Sequence, residues 1–126
     1  MFGLMVRTNF SAAHALRSSS GELVEPLHAH NWLVEVHLSS EKIDETGVVM
    51  DFRVVKAEID NIIALFRGRN INDIQPFGEL SPSAENIARY IYEELKKRLL
   101  SDINIDEVLV WETEDFCARF WQGEER

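Results

Sequence analysis

The chain has 126 residues, a formal net charge of −9 and an apolar fraction of 45%. This length and composition predict a single globular domain spanning residues 1–126, which is large enough to bury a core without disulfides. The acidic balance argues against a nucleic-acid surface, because such a surface needs a basic face that displaces counterions from phosphates.

The sequence also gives no indication of secretion or of membrane insertion. No apolar run approaches the ~20 residues that a membrane-spanning helix needs. The first residues do not combine a basic stretch with a small-residue cleavage site, so we expect no signal peptide. Cys117 is the single cysteine, so no intrachain disulfide can form. We therefore expect a cytoplasmic protein whose partner is neither a membrane nor a nucleic acid.

Two stretches of alternating apolar and polar residues predict strands over residues 4–14 and 28–39. The apolar face of the first strand carries Leu4, Val6, Phe10, Ala12 and His14. The same face of the second carries His28, His30, Trp32, Val34, Val36 and Leu38. The polar run between the strands predicts a flexible loop over residues 15–27, which is either a plain connection or a mobile site loop carrying Arg17, Glu22 and Glu25.

The second half of the chain predicts two helices followed by two strands. Asp51 is expected to cap the first helix, whose apolar stripe is Phe52, Val55, Ile59, Ile62, Ile63 and Phe66, and Gly68 suits its C-terminal end. Ser81-Pro82 is expected to begin the second helix, whose stripe is Ala84, Ile87, Ala88, Ile91, Leu95 and Leu99. Residues 108–111 and 116–121 are expected to form strands joined by a turn at Glu114-Asp115.

This order of elements predicts an α+β fold, in which two helices cover one face of a four-stranded antiparallel sheet. The free edges of such a sheet favour aggregation unless they are paired or covered. We therefore expect a homo-oligomer in which neighbouring subunits cover these edges.

Three histidines in the two N-terminal strands suggest a metal site. His28 and His30 are two residues apart, so in a strand they point to one face. A hairpin would bring His14 beside them, and three imidazoles with one open position are typical of catalytic zinc. Alone, a His-x-His pair is more often a hydrogen-bonded pair. His37 is expected on the opposite face, about 23 Å along the strand from His30, and so outside the site.

Several segments resemble the 6-pyruvoyl-tetrahydropterin synthase family, which includes the 6-carboxy-tetrahydropterin synthases of queuosine biosynthesis. The most specific are Phe10-Ser-Ala-Ala-His14, His28-Ala-His30-Asn31 and Trp111-Glu112-Thr113, and residues 47–52 and 81–86 extend the resemblance almost end to end. It implies the tunnelling fold, in which sheet edges of neighbouring subunits join into a barrel, and a hexamer of two trimers. Ala29 replaces the usual glycine between the paired histidines, which leaves both imidazoles in place.

The resemblance also implies a site and a substrate. His14, His28 and His30 would bind Zn²⁺, and the usual substrate of the family is 7,8-dihydroneopterin triphosphate. Glu112 would hold the pterin ring, and Thr113 would add a hydrogen bond. A carboxylate at the end of an apolar strand is costly without donors, and the two parallel N–H donors of a 2-amino-pyrimidinone edge suit it.

Two departures from the family pattern concern catalysis. The family cysteine four residues before the paired histidines is replaced by Val24, whereas Glu25 stands three residues before them. One branch of the family has a glutamate at that spacing and produces 6-hydroxymethyl-7,8-dihydropterin, a folate precursor. We therefore predict a pterin lyase with Glu25 as the catalytic residue and Glu22 as a second candidate. Cys117 is expected to be a small buried apolar residue.

The second departure follows the first helix, where the usual Asp-His pair is replaced by Arg67 and Gly68. Either Glu25, zinc and water suffice, or a neighbouring subunit supplies the relay, or the activity differs. Arg67 and Arg69 would then bind phosphate or carry a plain helix-end charge. The alternatives to the lyase are a 6-carboxy-tetrahydropterin synthase, a non-catalytic module that binds metal and pterin, and a structural metal site in an oligomer.

Overall fold

The computed structural model describes residues 1–123 and has the predicted order of elements. The strands are β1 (Phe2–Arg17), β2 (Leu23–Ser40), β3 (Asn104–Trp111) and β4 (Cys117–Phe120), and the helices are α1 (Phe52–Ile63) and α2 (Ala84–Arg98). A short 3-10 helix lies at Ile71–Asp73. The strands form one antiparallel sheet in the order β1-β2-β3-β4, so the predicted α+β fold class is confirmed.

The hairpin of β1 and β2 is much longer than predicted. The expected loop over residues 15–27 is wrong for most of its length, because β1 continues to Arg17 and β2 begins at Leu23. The connection is a tight turn in which Gly21 has a φ of +88°, a conformation that glycine adopts without steric cost. Glu25 is consequently a strand residue paired with Leu16, next to an irregularity in the ladder.

Helix α1 begins as predicted but ends earlier. The Asp51 side chain accepts a hydrogen bond from the backbone N–H of Arg53 at 2.8 Å, as an N-cap does. The prediction that Phe52 belongs to the buried stripe is wrong: it is 59% exposed, at the first turn of the helix, where fewer neighbours can cover a side chain. Gly68 has a positive φ of +68°, but it serves the chain reversal five residues after the helix rather than the helix end.

Helix α2 begins at Ala84 rather than at Ser81, because Ser83 is the residue that caps it. The Ser83 hydroxyl accepts from the backbone N–H of Asn86 at 3.1 Å. Pro82 therefore precedes the helix, and its carbonyl is directed towards the sheet. The apolar side of α2 packs on the sheet together with α1, and the core comprises the buried residues Phe10, Trp32, Val34, Val36, Val55, Ile59, Phe66, Ile87, Ile91, Leu95, Val108 and Val110.

The segment after α1 covers the outer edge of β1 beside the histidines. Backbone hydrogen bonds join Gly68 N–H to the Ser11 carbonyl at 2.7 Å and Ala13 N–H to the Arg69 carbonyl at 2.9 Å. The Asn72 side chain then accepts from Ala15 N–H at 2.8 Å and donates to the Ala15 carbonyl at 3.0 Å. These contacts satisfy the edge of β1 between Ser11 and Ala15 and hold this part of the strand in place.

The sheet face opposite the helices carries a small ionic network. Glu35 accepts from Arg7 at 3.0 Å and lies 2.7 Å from His37 Nε2. Burial by itself raises the pKa of Glu35, but the hydrogen bonds from His37 and Arg7 outweigh it and lower the pKa. His37 thus lies on this face, as predicted. Among the described residues, no helix is both long and apolar enough to cross a membrane.

Candidate metal centre and adjoining cavity

Three histidines and one glutamate converge at one end of the sheet. A possible ligand atom from each of His14, His28, His30 and Glu112 lies within 4.8 Å of the others. His14 is a register partner of His28, and Ala12 is the partner of His30. Since side chains alternate along a strand, this register directs all three imidazoles to the helix-covered face. His14 is fully buried, while His28 and His30 are partly exposed.

Backbone carbonyls orient two of the three rings. His14 Nδ1 lies 2.7 Å from the Pro82 carbonyl, and His28 Nδ1 lies 2.7 Å from the Pro26 carbonyl. A carbonyl only accepts hydrogen bonds, so each Nδ1 carries a proton, and the neutral form of each ring then has its lone pair at Nε2. These two Nε2 atoms are 3.1 Å apart. Two facing lone pairs repel each other unless a proton or a metal cation lies between them.

The third histidine completes a donor set that fits a zinc ion. The buried His30 Nε2 has no hydrogen-bond partner among the described residues. Burial lowers the pKa of His30, with nearby Glu112 opposing this shift, so the ring favours the neutral form that binds metals. Tetrahedral zinc with Zn–N bonds of 2.0–2.1 Å separates its ligand nitrogens by about 3.3–3.4 Å, close to the His14–His28 distance. The residues therefore fit the predicted cation.

Trp32 packs against the histidine cluster from the core side. Its ring is fully buried and contacts the His14 and His30 rings edge-on, with centroid distances of 4.8 and 5.4 Å. Its indole Nε1–H donates to the Ala12 carbonyl at 3.1 Å. A side chain packed and hydrogen-bonded in this way restricts the rotamers of its neighbours, which keeps ligands in a fixed geometry.

Two carboxylates flank the histidines. Glu112 Oε1 lies 3.2 Å from His14 Nε2 and 3.8 Å from His30 Nε2, whereas Glu25 Oε1 lies 2.9 Å from His28 Nε2. Glu112 is therefore close enough to be a fourth metal ligand as well as the ring-binding residue that the sequence predicts. Glu25 lies on β2 beside the cluster. Its side chain is 44% exposed, so solvent and small molecules can reach it.

A cavity of about 220 Å³ adjoins the cluster. It is lined by Leu16, Glu25, Ser83, Ala84, Glu85, Glu112, Phe116, Cys117 and Ala118. Both flanking carboxylates thus open into one space, which suits a ligand that contacts the two of them together.

Thr113 does not lie in this cavity. It lines a different one, of about 300 Å³, with Arg7, Asn31, Leu33 and Trp111. Its hydroxyl accepts from the backbone N–H of Asp115 at 3.2 Å. Within the described chain, Glu112 and Thr113 therefore face different spaces.

The structure separates the remaining sequence candidates. Glu22 is exposed in the β1–β2 turn, where its backbone N–H donates to Ser18, away from the histidines. A guanidinium nitrogen of Arg67 lies 3.6 Å from Oδ1 of Asp60, so these two residues form an ion pair. The prediction that Cys117 is buried is wrong: it is exposed, because it begins the short edge strand β4. Partial burial raises the pKa of the Cys117 thiol, and the negative charge of Glu35 raises it further.

Sequence reasoning did not identify the groups that orient the site. The carbonyls of Pro26 and Pro82 carry no side-chain signal, so a residue pattern cannot reveal them. The alternation pattern predicts only a strand residue at Phe116, whereas the structure shows it 66% exposed and lining the cavity. A bulky apolar residue directly after a polar turn was the one available signal.

Comparisons with known proteins agree on one family. Residues 3–123 match the family model of 6-pyruvoyl tetrahydropterin synthase. The chain is 34% identical over 113 residues to a dihydroneopterin monophosphate aldolase of Pyrococcus furiosus, covering 90% of this chain and 91% of that protein. It is 33% identical over 118 residues to a 6-carboxy-5,6,7,8-tetrahydropterin synthase of Synechocystis sp., covering 90% and 88%. The structure of Caenorhabditis elegans 6-pyruvoyl tetrahydropterin synthase matches with a TM-score of 0.81 and 25% identity over 97% of this chain and 96% of that one.

Proposed function

The chain belongs to the 6-pyruvoyl tetrahydropterin synthase family, and from that premise we propose that it is a zinc-dependent pterin lyase. Its substrate would be a phosphorylated 7,8-dihydroneopterin, and its pterin product 6-hydroxymethyl-7,8-dihydropterin. The observation that carries this proposal is the Glu25 carboxylate, 2.9 Å from the Nε2 atom of His28. A potential base thereby stands directly beside the histidine cluster, although the family cysteine is replaced by Val24.

His14, His28 and His30 would hold the zinc ion through their Nε2 atoms. When bound, zinc would act as a Lewis acid that makes the hydroxyls of the substrate side chain more acidic. The proline carbonyls that fix the tautomers of His14 and His28 support this role, since such partners orient metal-bound histidines.

Glu25 would act as the general base of an aldol-type cleavage. Its carboxylate would take the proton from the hydroxyl on the second side-chain carbon. The bond between the first and second side-chain carbons then breaks, and the second carbon becomes the carbonyl of a glycolaldehyde phosphate. The electron pair left on the first carbon is delocalised into the adjacent C=N bond of the dihydropterin. The proton held by Glu25 returns to that carbon, so atoms and electrons balance.

Glu112 would hold the pterin ring during this reaction. Its carboxylate can accept two parallel hydrogen bonds from the ring N–H and the amino group, which orient the side chain towards Glu25 and the metal. Thr113 would assist only if a neighbouring subunit brings its cavity to the ring. We propose a homohexamer as the assembly that does this, since β1 and β4 end the sheet within the described chain.

The Pyrococcus furiosus relative supports the cleavage reaction, because it is named as an aldolase for dihydroneopterin monophosphate. The family resemblance of the sequence predicts 7,8-dihydroneopterin triphosphate as the substrate. The two substrates differ only in the phosphate tail, which lies beyond the bond that breaks, so the same residues would serve either. The Synechocystis relative supports the alternative, a 6-carboxy-tetrahydropterin synthase.

One experiment tests these proposals. Zinc-loaded protein is incubated separately with 7,8-dihydroneopterin triphosphate and with the monophosphate, and the oxidised fluorescent products are separated by chromatography. We expect 6-hydroxymethylpterin, and the faster substrate identifies the phosphate tail that the site prefers. Carboxy-tetrahydropterin as the main product would instead indicate that the protein is a 6-carboxy-tetrahydropterin synthase. Tight pterin binding without any product would favour the non-catalytic module.

A further inference from the structure

Phe116 is a large apolar side chain exposed at the cavity beside the histidine cluster. It is 66% exposed, and it lines the same cavity as Glu25, Glu112 and Leu16. Exposing an aromatic ring to water forgoes the free energy that burial would provide. Such a residue next to polar binding groups is a common feature of ligand sites, which combine apolar walls with a few polar contacts.

The hairpin of β3 and β4 fixes Phe116 relative to Glu112. The backbone N–H of Glu112 donates to the Phe116 carbonyl at 3.0 Å, and the next pair along the ladder is Trp111 with Cys117. Residues directly opposite each other in an antiparallel pair have side chains on the same face, about 4.5–5.5 Å apart at Cβ. Phe116 and Glu112 therefore lie across from each other at the end of the hairpin, and both border the same cavity.

We infer that Phe116 is a pterin-binding residue of this chain, which stacks on one face of the ring while Glu112 holds its edge. The inference rests on the proposed function, because it requires a planar heterocycle in this cavity. A ring held at its edge by a carboxylate leaves both faces to be covered, and an aromatic side chain adjacent to that carboxylate is positioned to cover one of them. Stacking of this kind strengthens binding with little dependence on hydrogen bonding.

The first test measures the affinity of the zinc-loaded protein for neopterin, which is fluorescent and lacks the phosphate tail. Phe116→Ala is expected to weaken binding about tenfold, while Phe116→Trp retains wild-type affinity. Phe52→Ala is the matched control, because Phe52 is similarly exposed at 59% but lies at the start of α1. Its affinity should be that of the wild type. Zinc content and circular dichroism verify that each variant is folded.

The outcomes separate this inference from the function on which it rests. If Phe116→Ala binds neopterin as tightly as the wild type while Glu112→Ala does not bind it, the inference is overturned and the proposed function stands. If the wild type itself binds no neopterin, the proposed function and the inference fail together.

Discussion

His14 and His28 are register partners in β1 and β2, and their Nε2 atoms lie 3.1 Å apart while each Nδ1 atom faces a proline carbonyl. The carbonyls assign a proton to each Nδ1, so in the neutral, metal-binding form of the rings the two Nε2 lone pairs point at each other. This arrangement is stable when a cation occupies the space between them. Because both residues stand on strands rather than on loops, the backbone ladder defines the distance between the ligands.

The first prediction concerns metal binding. His14→Ala and His28→Ala should each lose most of the zinc that the wild type retains after loading and desalting, measured by elemental analysis. The thermal stabilisation that zinc confers on the wild type should vanish with it, since a ligand that binds only the folded state stabilises it. His37→Ala is the control: His37 contacts Glu35 on the other face of the sheet and should keep full zinc content. Full zinc content in both His14→Ala and His28→Ala would contradict the site.

The second prediction separates the two roles open to Glu112. If Glu112 binds the pterin ring, Glu112→Ala should abolish neopterin binding and leave the zinc content unchanged. Glu112 Oε1 is 3.2 Å from His14 Nε2, so a role as a fourth ligand would appear instead as a loss of zinc affinity. Parallel titrations of neopterin and of zinc distinguish these outcomes. Unchanged affinity for both neopterin and zinc would exclude both roles.

The third prediction concerns catalysis. Glu25→Gln preserves the shape of the side chain but cannot accept a proton, so turnover should fall by about 10²–10⁴-fold. Zinc content and neopterin affinity should remain those of the wild type. Glu22→Gln is the matched control, because Glu22 lies in the exposed turn three residues earlier and should retain activity. A fully active Glu25→Gln variant would exclude Glu25 as the base and leave that role to a bound water.

The fourth prediction concerns the contact between α1 and β1. The Thr8 hydroxyl donates to Asp60 Oδ1 at 2.6 Å, and Lys56 donates to the same carboxylate at 2.9 Å. Burial by itself raises the pKa of Asp60, but the hydrogen bonds from Thr8 and Lys56 outweigh it and lower the pKa. Thr8→Val should lower the free energy of unfolding at pH 7 by about 1–2 kcal/mol.

The pH dependence of this loss has a defined sign. A depressed pKa in the folded state stabilises the fold above the unfolded-state pKa of about 3.9, and the stabilisation is lost as the pH falls through the folded-state value. The difference between wild type and Thr8→Val should therefore be full at pH 7 and shrink below about pH 4, as measured by urea unfolding. Thr8→Ser keeps the hydroxyl and should retain most of the stability. A difference that is the same at pH 7 and pH 3 would exclude Asp60 as its source.

Local patterns in the sequence were sufficient for the fold class. The side-chain period of two in β1 and β2 and the helical spacing in α1 and α2 each depend on residues close together in the chain. For the same reason the sequence predicted that His28 and His30 share a face. The loop over residues 15–27 was predicted too long, because serine and glycine mark where a chain turns but not how far the paired strands extend on either side.

The sequence by itself determined which residues are available for a metal site and on which strand face they lie. Only the tertiary structure decided that His14 stands opposite His28, that the Pro82 carbonyl orients His14 from 68 residues away, and that Phe116 and Glu112 line one cavity. The physical reason is that strand register, helix docking and hairpin closure join residues distant in sequence. Their geometry results from the packing of the whole chain, which no local pattern specifies.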